Sequence, residues 1–167
     1  ILVSISLIVI RSSGVSENYL KEKWSYEAKE MVNGLWVADF DNDRKKEVAA
    51  IASIEGSIYL INSKGNKTWK KSIYCPVYSI SSADLDKDGY KEILVGGCTH
   101  LHVFSYDGEK KWQFFTDHSA VNVILPADID DDGNLELIIA AGEATSKRRN
   151  TLYLANNEGK LIWKRGL

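Results

Sequence analysis

The sequence predicts an all-β fold of three four-stranded antiparallel units preceded by one strand, and two repeated patterns support this prediction. The first is D-x-D-x-D-[G/R]-x-x-E, which occurs at 39–47, 84–92 and 128–136. The second is a glycine followed four residues later by tryptophan, at 65–69, 108–112 and 159–163. A repeat of about 45 residues is one supersecondary unit of an array rather than a free-standing domain.

Each unit reads as four strands joined by turns. The units span about 33–74, 77–118 and 121–167. In the second unit the strands are expected at 78–83, 91–96, 100–106 and 110–115. The acidic stretch joins the first two strands, and an Asp107-Gly108 turn, a dipeptide that favours hairpins, joins the last two.

The strand after each acidic stretch is apolar on both faces, as in 48–52, 93–97 and 137–141. This is typical of a sheet packed between neighbouring sheets, because a half-exposed strand would alternate. Four-stranded units of this length, stacked face to face, are the blades of a β-propeller. The stretch 19–24 is either the last strand of a preceding blade or a strand that closes the ring. Since propellers typically have about four to eight blades, residues 19–167 are expected to be a segment of a larger propeller.

The three acidic stretches are the candidate metal sites. Calcium takes about 6–8 oxygen ligands from carboxylates, backbone carbonyls and water. The expected ligands in each copy are three aspartates, the closing glutamate and the backbone carbonyl of the residue two before it. They are Asp39, Asp41, Asp43, Lys45 and Glu47; Asp84, Asp86, Asp88, Tyr90 and Glu92; and Asp128, Asp130, Asp132, Asn134 and Glu136. The alternative is acidic turns that bind nothing, but clustered carboxylates repel one another unless a cation neutralises them.

The first copy departs from the pattern. Gly89 and Gly133 stand at the sharp turn of the other copies, where a positive φ is favourable for glycine, but Arg44 replaces this glycine and Lys45 and Lys46 follow it. A non-glycine residue in the left-handed region costs about 1–2 kcal/mol, and nearby cations oppose calcium. Two or three calcium ions are therefore expected, with the site at 39–47 the weakest.

Residues 1–18 form an apolar segment with a polar end. The apolar stretch is too short to span a bilayer and fits the core of a secretory signal or the remnant of a membrane anchor. A buried first strand of a further repeat is the alternative. The signal or anchor interpretation predicts an extracellular or cell-surface protein that contacts the membrane only through this segment.

Other candidate sites are weaker. Cys75 and Cys98 are either a disulfide pair or free thiols, and an alternating Cys98, His100 and His102 set could bind zinc or copper only on one continuous strand. The 142–150 insertion carries three basic residues that either contact an acidic partner or a glycan or lie in a solvated hairpin loop. The formal net charge of −2 and the dispersed basic residues argue against nucleic acid. Neither a nucleophile motif nor a phosphate-binding glycine loop is present in the sequence.

The stretches ADFDNDRKKEV, ADLDKDGYKEI and ADIDDDGNLEL resemble the FG-GAP or VCBS-type calcium-loop repeat of integrin α-subunit propellers and microbial surface proteins. The closing acid in that family is commonly Asp, whereas this sequence has Glu. The glycine–tryptophan strands are partly similar to quinoprotein-type propeller repeats. The resemblance implies a non-catalytic, calcium-stabilised scaffold of an exported or cell-surface protein that binds a protein or glycan. The alternatives are a fragment of a propeller enzyme, either a polysaccharide lyase or a quinone-dependent dehydrogenase, and an intracellular interaction scaffold.

Overall fold

The computed structural model of the chain describes residues 3–9, 21–52, 55–142 and 150–167. These ranges contain strands and turns, which confirms the all-β prediction. None of them holds a helix able to cross a bilayer. Most of the apolar segment 1–18, and the basic residues of the 142–150 insertion, lie outside the described residues. Within the apolar segment, β1 (Val3–Val9) is a strand that pairs antiparallel with β2 (Lys21–Ala28).

Three four-stranded antiparallel sheets follow, each with its strands in chain order. The first sheet contains β3 (Val32–Ala38), β4 (Glu47–Ala52), β5 (Ser57–Ile61) and β6 (Lys67–Ser72). The second contains β7 (Val77–Ala83), β8 (Glu92–Gly97), β9 (His100–Phe104) and β10 (Lys110–Phe115). The third contains β11 (Val121–Ala127), β12 (Glu136–Ala141), β13 (Thr151–Ala155) and β14 (Leu161–Gly166). The predicted four-stranded units are confirmed, and β9 ends early because Ser105 begins a turn whose amide donates to the Glu109 carbonyl.

The apolar cores lie between the sheets. Strands β4, β8 and β12 are buried almost throughout, as their two apolar faces predict. Ala49 and Ile51 of the first sheet pack in one cluster with Ile93 and Val95 of the second. A second cluster joins the second and third sheets, and a third joins Trp24 of β2 to the first sheet. Face-to-face packing of successive sheets is the propeller arrangement that the repeat predicts.

The repeated tryptophan and glycine pack against each other across neighbouring sheets. A Cβ atom added to Gly65, Gly108 or Gly159 would lie 2.8, 3.0 or 2.7 Å from the indole of the preceding unit. These indoles belong to Trp24, Trp69 and Trp112. Glycine is therefore required because the indole lies directly over the turn, and these three tryptophans serve sheet packing. Trp163, the last in the series, is 42% exposed.

The antiparallel order divides the connections between two edges of the sheets. The loop edge carries the acidic stretches, named loop one (39–47), loop two (84–92) and loop three (128–136), together with the turns before β6, β10 and β14. The linker edge carries the turns before β5 and β9 and the connections between sheets.

Candidate metal centres

The three acidic loops lie side by side along the loop edge. The Lys91 amide of loop two donates to the Phe40 carbonyl of loop one at 3.1 Å. The side chain of Asn157, in the turn before β14, donates to the Leu85 carbonyl of loop two at 2.9 Å. Loops one and two are therefore each held by their own sheet and by the sheet that follows.

The first aspartate of each loop folds the loop around its carboxylate. Its Oδ2 accepts a hydrogen bond from the amide of the turn residue five positions later. The pairs are Asp39 with Arg44 at 2.9 Å, Asp84 with Gly89 at 3.0 Å, and Asp128 with Gly133 at 2.9 Å. The turn residues have φ of 67°, 90° and 85° in the same order. The positive φ is thus common to all three loops, and Arg44 adopts it in loop one without the advantage of glycine.

The third aspartate stabilises the second half of each loop. Its Oδ1 accepts from the amide two residues later, an Asx turn. The pairs are Asp43 with Lys45 at 2.8 Å, Asp88 with Tyr90 at 2.8 Å, and Asp132 with Asn134 at 2.7 Å. That the carbonyls of Lys45, Tyr90 and Asn134 bind a metal stays a prediction.

The closing glutamate is anchored below the loop. Glu47, Glu92 and Glu136 are each at most 6% exposed. In each case Oε2 accepts from the amide that follows the first aspartate, that of Phe40 at 3.0 Å, Leu85 at 2.8 Å and Ile129 at 2.9 Å. A buried carboxylate needs such a partner, and this bond fixes the glutamate beside the loop.

Ligand oxygens of three carboxylates converge in every loop to within 4.8 Å of one another. In loops two and three they belong to the first two aspartates and the glutamate: Asp84, Asp86 and Glu92, and Asp128, Asp130 and Glu136. In loop one they belong to Asp39, Asp41 and Asp43, and Glu47 is outside the group. Asp88 and Asp132 are also outside the groups in their loops.

These carboxylate groups fit a hard cation. The Oδ1 atoms of Asp39 and Asp84 are buried and accept no hydrogen bond within the described residues. An oxygen in that state is unfavourable unless a cation binds it. Clustered carboxylate oxygens are the donors that calcium prefers.

The charge balance differs between the loops. Burial, followed by the charges of Asp41, Asp43 and Asp39, raises the pKa of Glu47 above its usual range. In loop one Lys45 pairs with Asp43 at 2.7 Å and lowers the pKa of that carboxyl. In loop two Lys111 lies 2.6 Å from Asp86 and 2.8 Å from Glu92. Within the described part of the chain, no lysine or arginine forms an ion pair with the loop-three group.

A pocket of about 240 Å³ lies beside loop one. Asp41 and Glu47 line it together with Thr68 of β6 and Asp107, which lies in the turn before β10. The last strand of a sheet therefore faces the acidic loop of the same sheet. Sequence reasoning missed this pocket and missed Lys111, whose place in the glycine–tryptophan strand was the available signal.

A second group of hydrogen-bonded polar residues, also missed from the sequence, lies at the linker edge. Glu30 accepts from the Tyr59 hydroxyl at 2.8 Å and from Lys70 at 2.6 Å. Asp117 accepts from the Tyr153 hydroxyl at 3.0 Å and from Lys164 at 2.9 Å. In the second sheet His102 occupies the position that Tyr59 and Tyr153 have in the first and third sheets, as the pairing register of β5, β9 and β13 shows.

The cysteine and histidine candidates do not form a metal-binding group. Cys98 lies in the turn before β9, as the unit alignment predicts, and no group of three among the described residues combines it with His100 and His102. Cys75 and Cys98 are free thiols, but the Cys98 amide donates to the Cys75 sulfur at 3.3 Å.

Comparison with known proteins identifies the repeat. A family profile described as lambda-carrageenase beta-propeller domain matches residues 16–100, and one described as FG-GAP-like repeat matches residues 84–139. The FG-GAP resemblance is thereby confirmed. No match was found among curated proteins.

Two solved structures share the fold. BBS1N, solved in complex with ARL6DN, has a TM-score of 0.65 and 13% identity over 87% of this chain and 43% of that chain. BamB from Moraxella catarrhalis has a TM-score of 0.56 and 14% identity over 100% of this chain and 52% of that chain. The chain thus spans about half the length of these structures.

Proposed function

The chain belongs to the lambda-carrageenase β-propeller domain family, and we propose that it is a calcium-stabilised, non-catalytic binding module of an exported or cell-surface protein. The observation that supports calcium most directly is the convergence of three carboxylates in each loop to within 4.8 Å. The ion would be structural. It would fix the connection between the first and second strands of a sheet, where like charges otherwise repel.

The role of the protein's own residues follows from the loop geometry. The first aspartate and the buried glutamate are held by backbone amides, so their free oxygens are oriented before a cation arrives. Asp130, which is exposed, would complete the group in loop three. A bound calcium supplies two positive charges to these oxygens and so removes the repulsion.

The stabilisation expected from each calcium ion follows from mass action. Extracellular calcium modules bind at about 10⁻⁴–10⁻³ M. At a tenfold excess of calcium each occupied site adds about 1.4 kcal/mol to the free energy of unfolding. For a chain of this size that corresponds to a rise in melting temperature of about 3–6 °C per site.

The test is thermal unfolding in calcium and in EDTA, with calcium ions per chain counted by native mass spectrometry. Asp130→Asn should remove one ion and its share of the calcium-dependent rise. Asp131→Asn is the matched control, since it makes the same change in the same loop at a residue outside the carboxylate group. No bound calcium at millimolar concentration would refute the proposal.

The ligand would be a protein or a glycan. BBS1N is a structural neighbour solved with a protein partner, whereas the family description names a carrageenase. That description favours a second candidate function, a propeller domain of a polysaccharide-degrading enzyme. Incubating the chain with lambda-carrageenan separates the two candidates. Binding without new reducing ends is expected of a module, whereas depolymerisation by the chain itself would overturn the non-catalytic assignment.

A further inference from the structure

The three sheets differ at the residue that precedes the repeated tryptophan. This residue is Thr68 in β6, Lys111 in β10 and Ile162 in β14. In each sheet the pairing register shifts at this position, so that the residue is a bulge between two paired neighbours. A bulge re-aims a side chain without changing the rest of the strand.

The first sheet shows that the bulge residue faces the acidic loop of its own sheet. Thr68 lines the pocket that Asp41 and Glu47 of loop one also line. The hydroxyl is short, and the space between the bulge and the loop is open there. A longer side chain at the same position in another sheet reaches the loop itself.

Lys111 makes that contact in the second sheet. Its ammonium lies 2.6 Å from Asp86 Oδ2 and 2.8 Å from Glu92 Oε1. Glu92 is 2% exposed, and its other oxygen accepts from the Leu85 amide. A lysine ammonium carries its positive charge at neutral pH, so these two contacts place a cation on the loop-two carboxylates.

We propose that Lys111 is a built-in cation of loop two, which occupies the Asp84, Asp86 and Glu92 group and makes this loop bind calcium more weakly than loop three. The inference rests on the proposed function, because it takes loop three as a calcium site. Two of the three converging carboxylates in loop two already bind an ammonium. A calcium ion must displace that ammonium before it can use the same oxygens, and the nearby charge opposes its entry.

Loop three lacks this device. Ile162 is 53% exposed and brings no charge to Asp128, Asp130 and Glu136. Loop one is intermediate, since Thr68 leaves its pocket open but Lys45 pairs with Asp43. The three loops therefore form a graded series in which loop three binds first and loop two last, so that the weakest site is loop two, whereas the sequence predicts loop one.

The decisive experiment measures calcium binding to the full chain by native mass spectrometry and isothermal titration calorimetry. Lys111→Thr, which installs the residue of the first sheet, should add one calcium ion that binds at least about tenfold more tightly than loop two of the unaltered chain. Lys110→Thr is the matched control, because it removes the same charge one residue away, where the ammonium contacts Gln113. It should leave the ion count unchanged.

The reciprocal variant does not depend on folding of the altered second sheet. Ile162→Lys places a lysine at the exposed bulge position beside loop three and should weaken calcium binding there by at least about tenfold. Ile162→Met, of similar length and without charge, should not.

Two failures can be told apart. If neither the unaltered chain nor any variant binds calcium, the proposed function fails. If calcium fills loop two equally well with and without Lys111, as judged by loss of one ion in Asp86→Asn in both backgrounds, the assignment of Lys111 is wrong and the calcium module stands.

Discussion

The loop edge and the linker edge both concentrate carboxylates, but they balance the charge in opposite ways. At the linker edge Glu30 and Asp117 each accept hydrogen bonds from a lysine and a tyrosine. At the loop edge three carboxylates converge in each loop, and Lys45 and Lys111 pair with only some of them. Each linker-edge carboxylate therefore has a lysine partner within the protein, whereas the protein's own lysines pair with only some of the loop-edge carboxylates.

The pKa directions express the same difference. Hydrogen bonds from Lys164 and Tyr153 lower the pKa of Asp117 below its usual range. For Glu30, burial raises the pKa, but bonds from Lys70 and Tyr59 outweigh it and the net shift is downward. The pKa of Glu47 at the loop edge moves upward, because burial and neighbouring aspartates both disfavour its charge. A lowered carboxyl pKa stabilises the fold when the group is ionised, and a raised one does the reverse.

The second sheet interrupts the pattern of the linker edge. Where the first and third sheets have Tyr59 and Tyr153, it has His102, which is 7% exposed and whose Nδ1 has no hydrogen-bond partner among the described residues. Burial, followed by the charges of Lys110 and His100, lowers the pKa of His102 from 6.5 to about 4. The linker edge thus has a lysine–carboxylate ion pair in two sheets and an uncharged imidazole in the third.

The largest expected effect is the loss of stability in acid that the buried His102 imidazole causes. In the unfolded chain the His102 imidazole takes up a proton near pH 6.5, whereas in the folded chain its pKa is about 4. The free energy of unfolding is therefore highest above pH 6.5, and it falls by about 3 kcal/mol in total as the pH falls towards 4. Urea unfolding across this range measures it.

His102→Phe should flatten this part of the pH profile. His100→Gln is the matched variant and should remove a smaller part of the slope, since burial lowers the pKa of His100 less far. An unchanged slope in His102→Phe would show that the acid sensitivity arises elsewhere.

The next effect is the removal of a carboxylate charge at the linker edge. Asp117→Asn should lower the free energy of unfolding by about 1 kcal/mol, because it weakens charge-assisted bonds to the buried Tyr153 hydroxyl and to Lys164. Asparagine tolerates the left-handed φ of 49° at this position, so backbone strain does not contribute. Urea unfolding at pH 7 in EDTA measures the change. The difference from the unaltered chain should disappear as the pH falls below the usual pKa range of an aspartate, where Asp117 loses its charge. A loss that persists in acid would mean that packing, and not charge, explains it.

Much of this comparison could be predicted from the sequence, and the reason is locality. The aspartates and glutamate of each loop lie within nine residues of one another, so their spacing alone predicts that they converge. The turn conformation of Gly89 and Gly133 follows in the same way. The strands follow from apolar runs and Asp-Gly turns, and the face-to-face sheets follow from strands that are apolar on both faces.

The rest depends on contacts that no local pattern encodes. Asp117 and Tyr153 are 36 residues apart and meet because the linker before β11 returns beside β13. Lys111 reaches loop two because a bulge re-aims one side chain of β10. The sequence shows both residues, but their roles require the register of two strands. The signal or anchor interpretation of 1–18 and the extracellular location stay predictions.

A smaller effect of opposite sign is expected at the loop edge. Asp41→Asn in EDTA should raise the free energy of unfolding by a few tenths of a kcal/mol, because it removes a charge that opposes ionisation of Glu47. If calcium binds as proposed, the gain should vanish at millimolar calcium, because Asp41 would then be a ligand. A destabilised Asp41→Asn variant in EDTA would mean that the loop edge is balanced without added cations, and the contrast between the edges would fail.

The smallest effect is the response to salt, which separates repulsion from hydrogen bonding. At about 1 M salt the screening length falls to about 3 Å, so repulsion between exposed carboxylates is largely removed. In EDTA, sodium chloride should therefore stabilise the chain slightly, because relief at the loop edge outweighs weakening of the exposed Lys164–Asp117 pair. Asp41→Asn should reduce this gain, whereas Asp117→Asn should not. An equal gain in both variants would place the screened repulsion outside the loop edge.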